Sequence, residues 1–588
     1  MSIVSDLSQR FGDAFVDAGF EASWGQVVPS QRPELAQYQC NGALGAGQQS
    51  GGDPRQIAAD VIAAIDDQTP FAVLDVAGPG FINITVADQA LADYTQAMAD
   101  DERLGIEPAE HAMKVLVDYG GPNMSKSMHV GHLRASIIGE SLKRLFRLAG
   151  HHVDGDIHMG DWGMPVGQLI VELEHRQPDL PYFDPDYSGP YPEQSPVTLD
   201  DLSEMYPVAV ERTSEDPVEA DRARQATFDL QNGRPGYLAL WQHFHDVSVT
   251  EQRRDFEDLG VEFELWRGES TVQDRLGPLV ERLRNEDDVA VESEGALIIE
   301  VAEPTDKKEV PPLLLTRSDG SYLYSTTDLA TVEQRADEGY DLLLYVVDAR
   351  QGLHFDQVFR AARKGAVAGD SMAMEHVPFG TVNGPDGKPF KTREGGVLRL
   401  ADLMGIVTDA ARQRLEEAEI AQDYPAGEQE EIAAQVGLAA LKYGDLSNHR
   451  TSNYLFDIDR FTAFEGKTGP YLQYGSVRNQ SILRKAEEAG LAPGPILAST
   501  VDQERDLMLR LLRLPEVVER AIDVRAPNVL AEYAYEVAND FNRFYEACHI
   551  LSEEDAARQA SWLALVDLTL RVLKLLLHTL GIEAPSRM

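Results

Sequence analysis

The sequence predicts a multi-domain α/β protein. A parallel-sheet domain with a long insertion is preceded by a small N-terminal α+β domain and followed by a C-terminal α-helical bundle. Three observations carry this expectation. The chain has 588 residues, more than one hydrophobic core usually holds. Between residues 115 and 364, short β-branched apolar runs alternate with stretches of helical periodicity, the pattern of βα units. From about Asp402 onward the signal is almost wholly helical. The expected domains are 1–110, 111–400 with an insertion at about 173–310, a helical connecting region over 401–450, and a helical domain over 451–588.

The elements follow in order. Residues 55–65 have helical spacing, and a strand-like run ends at Phe81-Ile82-Asn83-Ile84. Val115-Leu116-Val117 is a short buried-strand run, broken by Gly120-Gly121-Pro122. A helix is expected over 129–149, with Leu133, Ile137, Ile138, Leu142, Leu145 and Phe146 on one face and Gly150 as its stop. A second strand over 152–158 completes a βαβ-like unit. Residues 175–235, with prolines at 178, 181, 185, 190, 192 and 196, read as an irregular insertion. The alternation resumes with a strand over 342–347, a helix over 355–364 and a loop over 384–393. A last long helix over 561–580 carries an apolar stripe from Trp562 to Leu577, whose plain explanation is core packing.

Composition narrows the function classes. With 43 % hydrophobic and 26 % charged residues, extended disorder is excluded. No apolar run reaches membrane-spanning length, and no basic-then-apolar leader stands at the N-terminus. The two cysteines, Cys40 and Cys548, form no CxxC, which argues against a disulfide framework and points to a reducing cytoplasm. The net charge of −46 argues by itself against a nucleic-acid partner. Its distribution is uneven, however: residues 1–110 carry −13 and 161–310 carry −22, whereas 111–160 carry +2 and six of the 14 histidines. Acidity serves solubility, and an anionic ligand would be drawn to the less acidic windows.

The tetrapeptide His129-Val130-Gly131-His132 begins the helix that follows the first strand of the βαβ unit. A helix N-terminus presents unpaired N–H groups and partial positive charge, so it holds anions. Gly131 would let a nucleotide approach the backbone. The two imidazoles share one helical face and can donate to phosphate oxygens. Alone the tetrapeptide is a weak signal: surface or packing histidines, or a zinc site lacking further ligands at usual spacing, would look the same.

Context strengthens it. The run Asp118-Tyr119-Gly120-Gly121-Pro122-Asn123-Met124-Ser125-Lys126-Ser127-Met128-His129-Val130-Gly131-His132-Leu133-Arg134 resembles the HIGH signature of class I aminoacyl-tRNA synthetases, in the form used by arginyl-tRNA synthetases. The likeness continues through Gly160-Asp161-Trp162-Gly163, Tyr322–Asp328, Gln351-Gly352-Leu353-His354, Gly387–Arg393 and Gly469–Tyr474. It implies a Rossmann-like catalytic domain and an ATP-dependent ligase that makes arginyl-adenylate and transfers arginine to the 3′ end of tRNA(Arg), releasing AMP and pyrophosphate. It also implies that tRNA binds before arginine is activated. Lys388-Pro389-Phe390-Lys391-Thr392-Arg393 departs from the KMSKS loop of the class, as many arginyl enzymes do; the resemblance implies that the lysine just before the histidines, here Lys126, supplies part of the missing charge.

Site residues are carried over from that resemblance. Lys126, His129, His132, Lys391 and Arg393 are the catalytic candidates, with Gly131 and Lys388 joining His129, His132 and Lys391 around ATP. Asp118, Asn123, His129, Tyr324, Asp328 and Gln351 fall on arginine-binding positions. A guanidinium calls for a carboxylate that accepts two parallel hydrogen bonds. Tyr471, Tyr474, Arg478 and Tyr545 are expected to bind tRNA, with Tyr533, Tyr535, Arg543 and Arg571 as further candidates there and Arg32 and Arg55 in the N-terminal domain. Expected partners are ATP with Mg²⁺, L-arginine and tRNA(Arg). No protein-held metal, no membrane and a monomeric state are expected. The competing classes are another class I synthetase, such as one for cysteine or glutamate, and a non-catalytic nucleotide- or tRNA-binding paralogue. The absence of zinc-binding cysteines and the carboxylates Asp118 and Asp328 argue against the cysteine enzyme; intact His129, Gly131, His132 and Lys391 argue against the paralogue.

Overall fold

The computed structural model describes residues 2–32, 34–285, 289–318, 320–384, 387 and 398–588. They form two compact units. One comprises Glu110–Arg414 and Ala440–Thr462, the other Met1–Ala109, Leu415–Ala439 and Ala463–Met588.

In the first unit the strands are Lys114–Asp118, His152–Asp156, Leu342–Tyr345 and Ala373–His376. All pair in parallel, in the spatial order 373–376, 342–345, 114–118, 152–156. Leu342–Tyr345 and Val115–Val117 are buried on both faces, as continuous apolar strands of a helix-covered parallel sheet should be. Helices Val130–Leu148, Tyr324–Asp337 and Gly352–Lys364 connect or follow these strands. The chain runs outward from strand 114–118 on one side and returns to strand 342–345 on the other. The strand order therefore reverses between these two, and their carboxyl ends open the crevice where such sheets bind ligands.

The stretch expected to be irregular is mostly helical. Leu199–Glu215, Pro217–Gln231 and Pro235–Asp258 are helices, and regular structure is missing only from 177–198. The six prolines that suggested irregularity all lie in 177–198. Pro217 and Pro235 instead occupy the first turn of a helix, where proline's missing N–H costs nothing. The ladder beside strand 152–156 is also extended by residues within the expected insertion: Leu265 N–H donates to Gly155 and Met159 N–H to Arg267, at 3.0 and 2.8 Å.

The second unit contains an antiparallel sheet in the order 27–29, 38–40, 81–86, 71–77, with helices Ile3–Asp17, Pro54–Ala64 and Asp88–Asp100. It also contains the helices Gly469–Glu488, Asn528–Ala547 and Ala556–Thr579. The last is buried around most of its circumference, including Leu563, Leu565, Val566, Leu568 and Thr569, so the expected stripe is a central core helix. Among the described residues no helix is long and apolar enough to cross a membrane.

Candidate active site

The loop after strand Lys114–Asp118 leads into helix Val130–Leu148, and His129 is its N-cap. The Gly131 N–H donates to His129 Nδ1 (3.0 Å), and the His129 N–H donates to His132 Nδ1 (3.1 Å). Each Nδ1 is therefore an acceptor, which puts the proton of each neutral ring on Nε2. The rings lie 4.1 Å apart and are tilted by 32°. Burial keeps both imidazoles neutral, reinforced by each ring's neighbouring charges; His132 is pushed down to about 3. The result is a pair of uncharged Nε2–H donors on an anion-favouring helix start. Gly131 is required for a reason invisible in sequence: a Cβ there would lie 2.6 Å from His129 Cε1.

Lys126 lies over the Tyr206 ring at 4.3 Å, and partial burial lowers its pKa. The segment leading to the histidines is fastened on both sides. Val130 N–H donates to Leu398 (3.1 Å), and Leu400 N–H to Met128 (3.0 Å). Lys388, Lys391 and Arg393 lie outside the described residues.

A second group gathers at the same end of the sheet. Tyr324 and Asp328 occupy the first turns of helix Tyr324–Asp337, as their spacing requires. Asp328 Oδ2 accepts from His354 Nε2 at 2.5 Å, and Oδ1 lies 3.8 Å from His158 Nε2. The Tyr324 ring packs on the His354 ring, with centroids 4.7 Å apart. Glu269 joins this group. Burial, with Asp328 and Asp161 nearby, pushes its carboxyl up to about 7 despite the opposing effect of His158. Asp161 is itself buried and accepts from Ser270 N–H and Oγ–H at 3.0 and 2.6 Å. Asn123 is exposed on the loop that pairs with Gly160, and Gln351 is exposed three residues before His354.

Asp118 is placed differently from the other arginine candidates. Its Oδ2 accepts from Arg335 Nη2 at 2.6 Å, and the same nitrogen reaches Asp156 at 3.0 Å. Arg335 has no exposed surface, so Asp118 already has a cation. Burial raises the Asp118 carboxyl and Arg335 opposes it.

Sequence reasoning missed four members of these groups. His354 stood in a quoted motif and His158 at the end of the expected strand 152–158, both without a role. Glu269 lies in an acidic stretch where one carboxylate looks like another. Arg335 ends a helix and reads as surface charge.

In the other unit, helices Gly469–Glu488 and Asn528–Ala547 bring the tRNA candidates together. Asn542 Nδ2 donates to Tyr471 Oη (2.7 Å), and Arg478 Nη1 donates to Asn542 Oδ1 (2.8 Å). The Arg478 guanidinium lies 4.9 Å from the Tyr474 ring and 5.6 Å from that of Tyr545, both rings being solvent-accessible. The Tyr535 ring lies 5.7 Å from that of Tyr471, tilted by 47°. Two weaker candidates are corrected. Tyr533 is buried, with its hydroxyl donating to Arg510 O (2.8 Å), so it is a core residue. Arg571 donates to the carbonyls of Ala99 and Asp101 and is consumed in packing. Arg543 lies within 4 Å of Asp506 and Asp540, Arg32 pairs with Glu34, and Arg55 donates to Gly78 O.

A switch-point crevice in a parallel sheet, flanked by a His-x-Gly-His helix start, defines the catalytic domain of a class I aminoacyl-tRNA synthetase. The family described as tRNA synthetases class I (R), catalytic domain, matches residues 93–458. The DALR anticodon binding domain matches 472–588, and the arginyl tRNA synthetase N terminal domain matches 3–86. Arginine–tRNA ligases of Maricaulis maris and Alkaliphilus oremlandii are 49 % and 47 % identical, with all of both chains covered. The chain belongs to the arginyl-tRNA synthetase family. Its fold is shared with the arginyl-tRNA synthetases of Plasmodium falciparum (TM-score 0.81, 24 % identity, 100 % of this chain and 99 % of that one) and Thermus thermophilus (TM-score 0.74, 22 % identity, all of both chains).

Proposed function

We propose that this chain, an arginine–tRNA ligase by family, activates L-arginine at the crevice beside strands 114–118 and 342–345 and passes it to tRNA(Arg). The observation that carries this reading is the pairing of two unlike groups: neutral imidazole donors on a helix start, and the partly buried carboxylates Asp328 and Glu269 at the same end of the sheet.

The arginine carboxylate attacks the α-phosphorus of ATP, the bond to the bridging oxygen breaks, and pyrophosphate leaves. A terminal ribose hydroxyl of tRNA then attacks the carbonyl carbon of the adenylate, and AMP leaves. The first step asks for alignment and charge stabilisation more than proton transfer. His129 and His132 donate Nε2–H to phosphate oxygens as charge develops, and Lys126 adds a cation whose ordinary hydration is already partly lost. Lys388, Lys391 and Arg393 take the role of the class loop by resemblance. Asp328 receives the guanidinium, with Glu269 as a second carboxylate and Tyr324, Asn123 and Gln351 around it. Asp118 holds the Arg335 ion pair that shapes the floor. Mg²⁺, if bound, would be carried by the nucleotide and would neutralise phosphate charge; among the described residues no group of three or more His, Cys, Asp and Glu could hold a metal ion.

Tyr471, Tyr474, Arg478 and Tyr545 form a stacking surface for unpaired anticodon bases, with Arg478 held by Asn542. The chain acts as a monomer in the cytoplasm, a reading supported by the family and by two buried free thiols. Aminoacylation assayed with each of the amino acids in turn tests the proposal. Arginine alone should be charged, and charging of cysteine or glutamate, or none at all, would overturn it.

A further inference from the structure

We infer that His354 is a positioning residue for arginine: its Nε2–H holds one oxygen of Asp328, so that the carboxylate plane is set before the guanidinium arrives. The inference rests on the reading of Asp328 as the guanidinium partner.

An ionised carboxylate only accepts hydrogen bonds, so the 2.5 Å contact places the proton on His354 Nε2. That bond uses one lone pair of Oδ2. Oδ1 lies 3.8 Å from His158, beyond hydrogen-bond reach, and in this reading is the oxygen left for the guanidinium. The imidazole has little freedom of its own. It is 88 % buried (12 % exposed), covered on one face by Tyr324 at 4.7 Å and flanked at its edge by Phe355 at 5.3 Å. Its backbone lies in the first turn of helix Gly352–Lys364, whose Phe355, Val358, Ala361 and Ala362 are buried. His158, nearest to the other oxygen, has a φ of +39°, a strained value for a residue with a Cβ, as is common where a side chain is aimed at a site. An unheld aspartate would rotate about χ2, and a planar guanidinium binds well only when both oxygens are coplanar with its N–H pair. His354 thus spends a hydrogen bond on orientation and makes no substrate contact of its own.

The test measures arginine and ATP KM in aminoacylation with the full chain and tRNA(Arg). His354→Leu should raise arginine KM by about 10–100-fold, the range for removing a residue that orients a ligand-binding group, and leave ATP KM within about twofold. His354→Gln, whose amide can replace Nε2–H, should stay within about threefold of the parent. Should His354→Leu fail to fold, His354→Asn takes its place, since its amide falls short of Asp328, and the same rise in arginine KM is expected. An unchanged arginine KM in His354→Leu or its substitute, or a Gln variant as impaired as either, overturns the inference. Asp328→Asn separates the two readings. If it raises arginine KM while the His354 variants do not, only the positioning role falls; if it does not, the reading of Asp328 falls as well, and this inference with it.

Discussion

At the scale of single residues, the proposed recognition of arginine rests on Asp328 and the largely buried Glu269. Asp328→Ala should raise arginine KM by on the order of 10²-fold or more, because a charge-assisted pair to a desolvated cation is lost; steady-state aminoacylation reads this directly. Glu269 adds a pH dependence whose sign follows from its raised pKa. Below about 7 it is largely protonated and uncharged, and above that it becomes an anion facing the guanidinium site. Arginine KM should therefore fall between pH 6 and pH 8, with a proton released on binding, and Glu269→Gln should flatten the profile. Tyr324 and Asp328 were singled out by the family resemblance, and their four-residue spacing added only that a helix would make them neighbours. Glu269 was not, because its place depends on the 265–269 segment pairing with residues 155–159.

At the scale of elements, the start of helix Val130–Leu148 is held by its own histidine caps. Gly131→Ala would drive a Cβ into the His129 ring and displace the cap. The expected cost is about 1 kcal/mol of stability and on the order of 10²-fold in the rate of pyrophosphate exchange, the usual loss of a preorganised donor. Stopped activity with an unchanged melting temperature would instead mean that the glycine serves only the nucleotide. In the other unit, Arg571 fastens helix Ala556–Thr579 to the end of helix Asp88–Asp100 through two carbonyls. Arg571→Ala should cost about 2 kcal/mol in denaturant unfolding, since two charged hydrogen bonds to partly buried acceptors are lost. Charging kcat should stay near the parent value. The helices and strands themselves were readable from periodicity. The one large error, over 175–235, came from extending the irregularity of the proline-rich stretch 177–198 across the helices that follow it, from Leu199 to Asp258.

At the scale of the whole molecule, the net charge of −46 sets how tRNA can bind. Several candidate cations are already engaged by Asp, Glu or backbone carbonyls, among them Arg32, Arg55, Arg543 and Arg571. These four are thereby less available to neutralise phosphates. The affinity for tRNA(Arg) should fall by less than about 10³-fold between 50 and 200 mM salt, the lower limit for a binder with six or more phosphate contacts. Filter binding across a salt series gives the slope, and a steep one would show that uncounted basic surface takes part. Acidity and an RNA partner are thus compatible, because stacking and a few directed bonds do not require a basic surface.

The amino-acid sequence by itself determined the family, the succession of strands and helices, and the residue types at the helix start. All of these are local: periodicity, caps and ordered motifs are written in neighbouring residues. Only the tertiary structure decided which charges are spent and which remain. Asp118 and Asp328 look alike in sequence, yet a buried Arg335 from 217 residues away claims the first, while His354 orients the second and leaves one of its oxygens open. The physical reason is that the sheet's parallel crossovers bring together side chains from distant segments. Charge pairing in a low-dielectric crevice depends on those distances and on burial, neither of which is a property of the chain read in order.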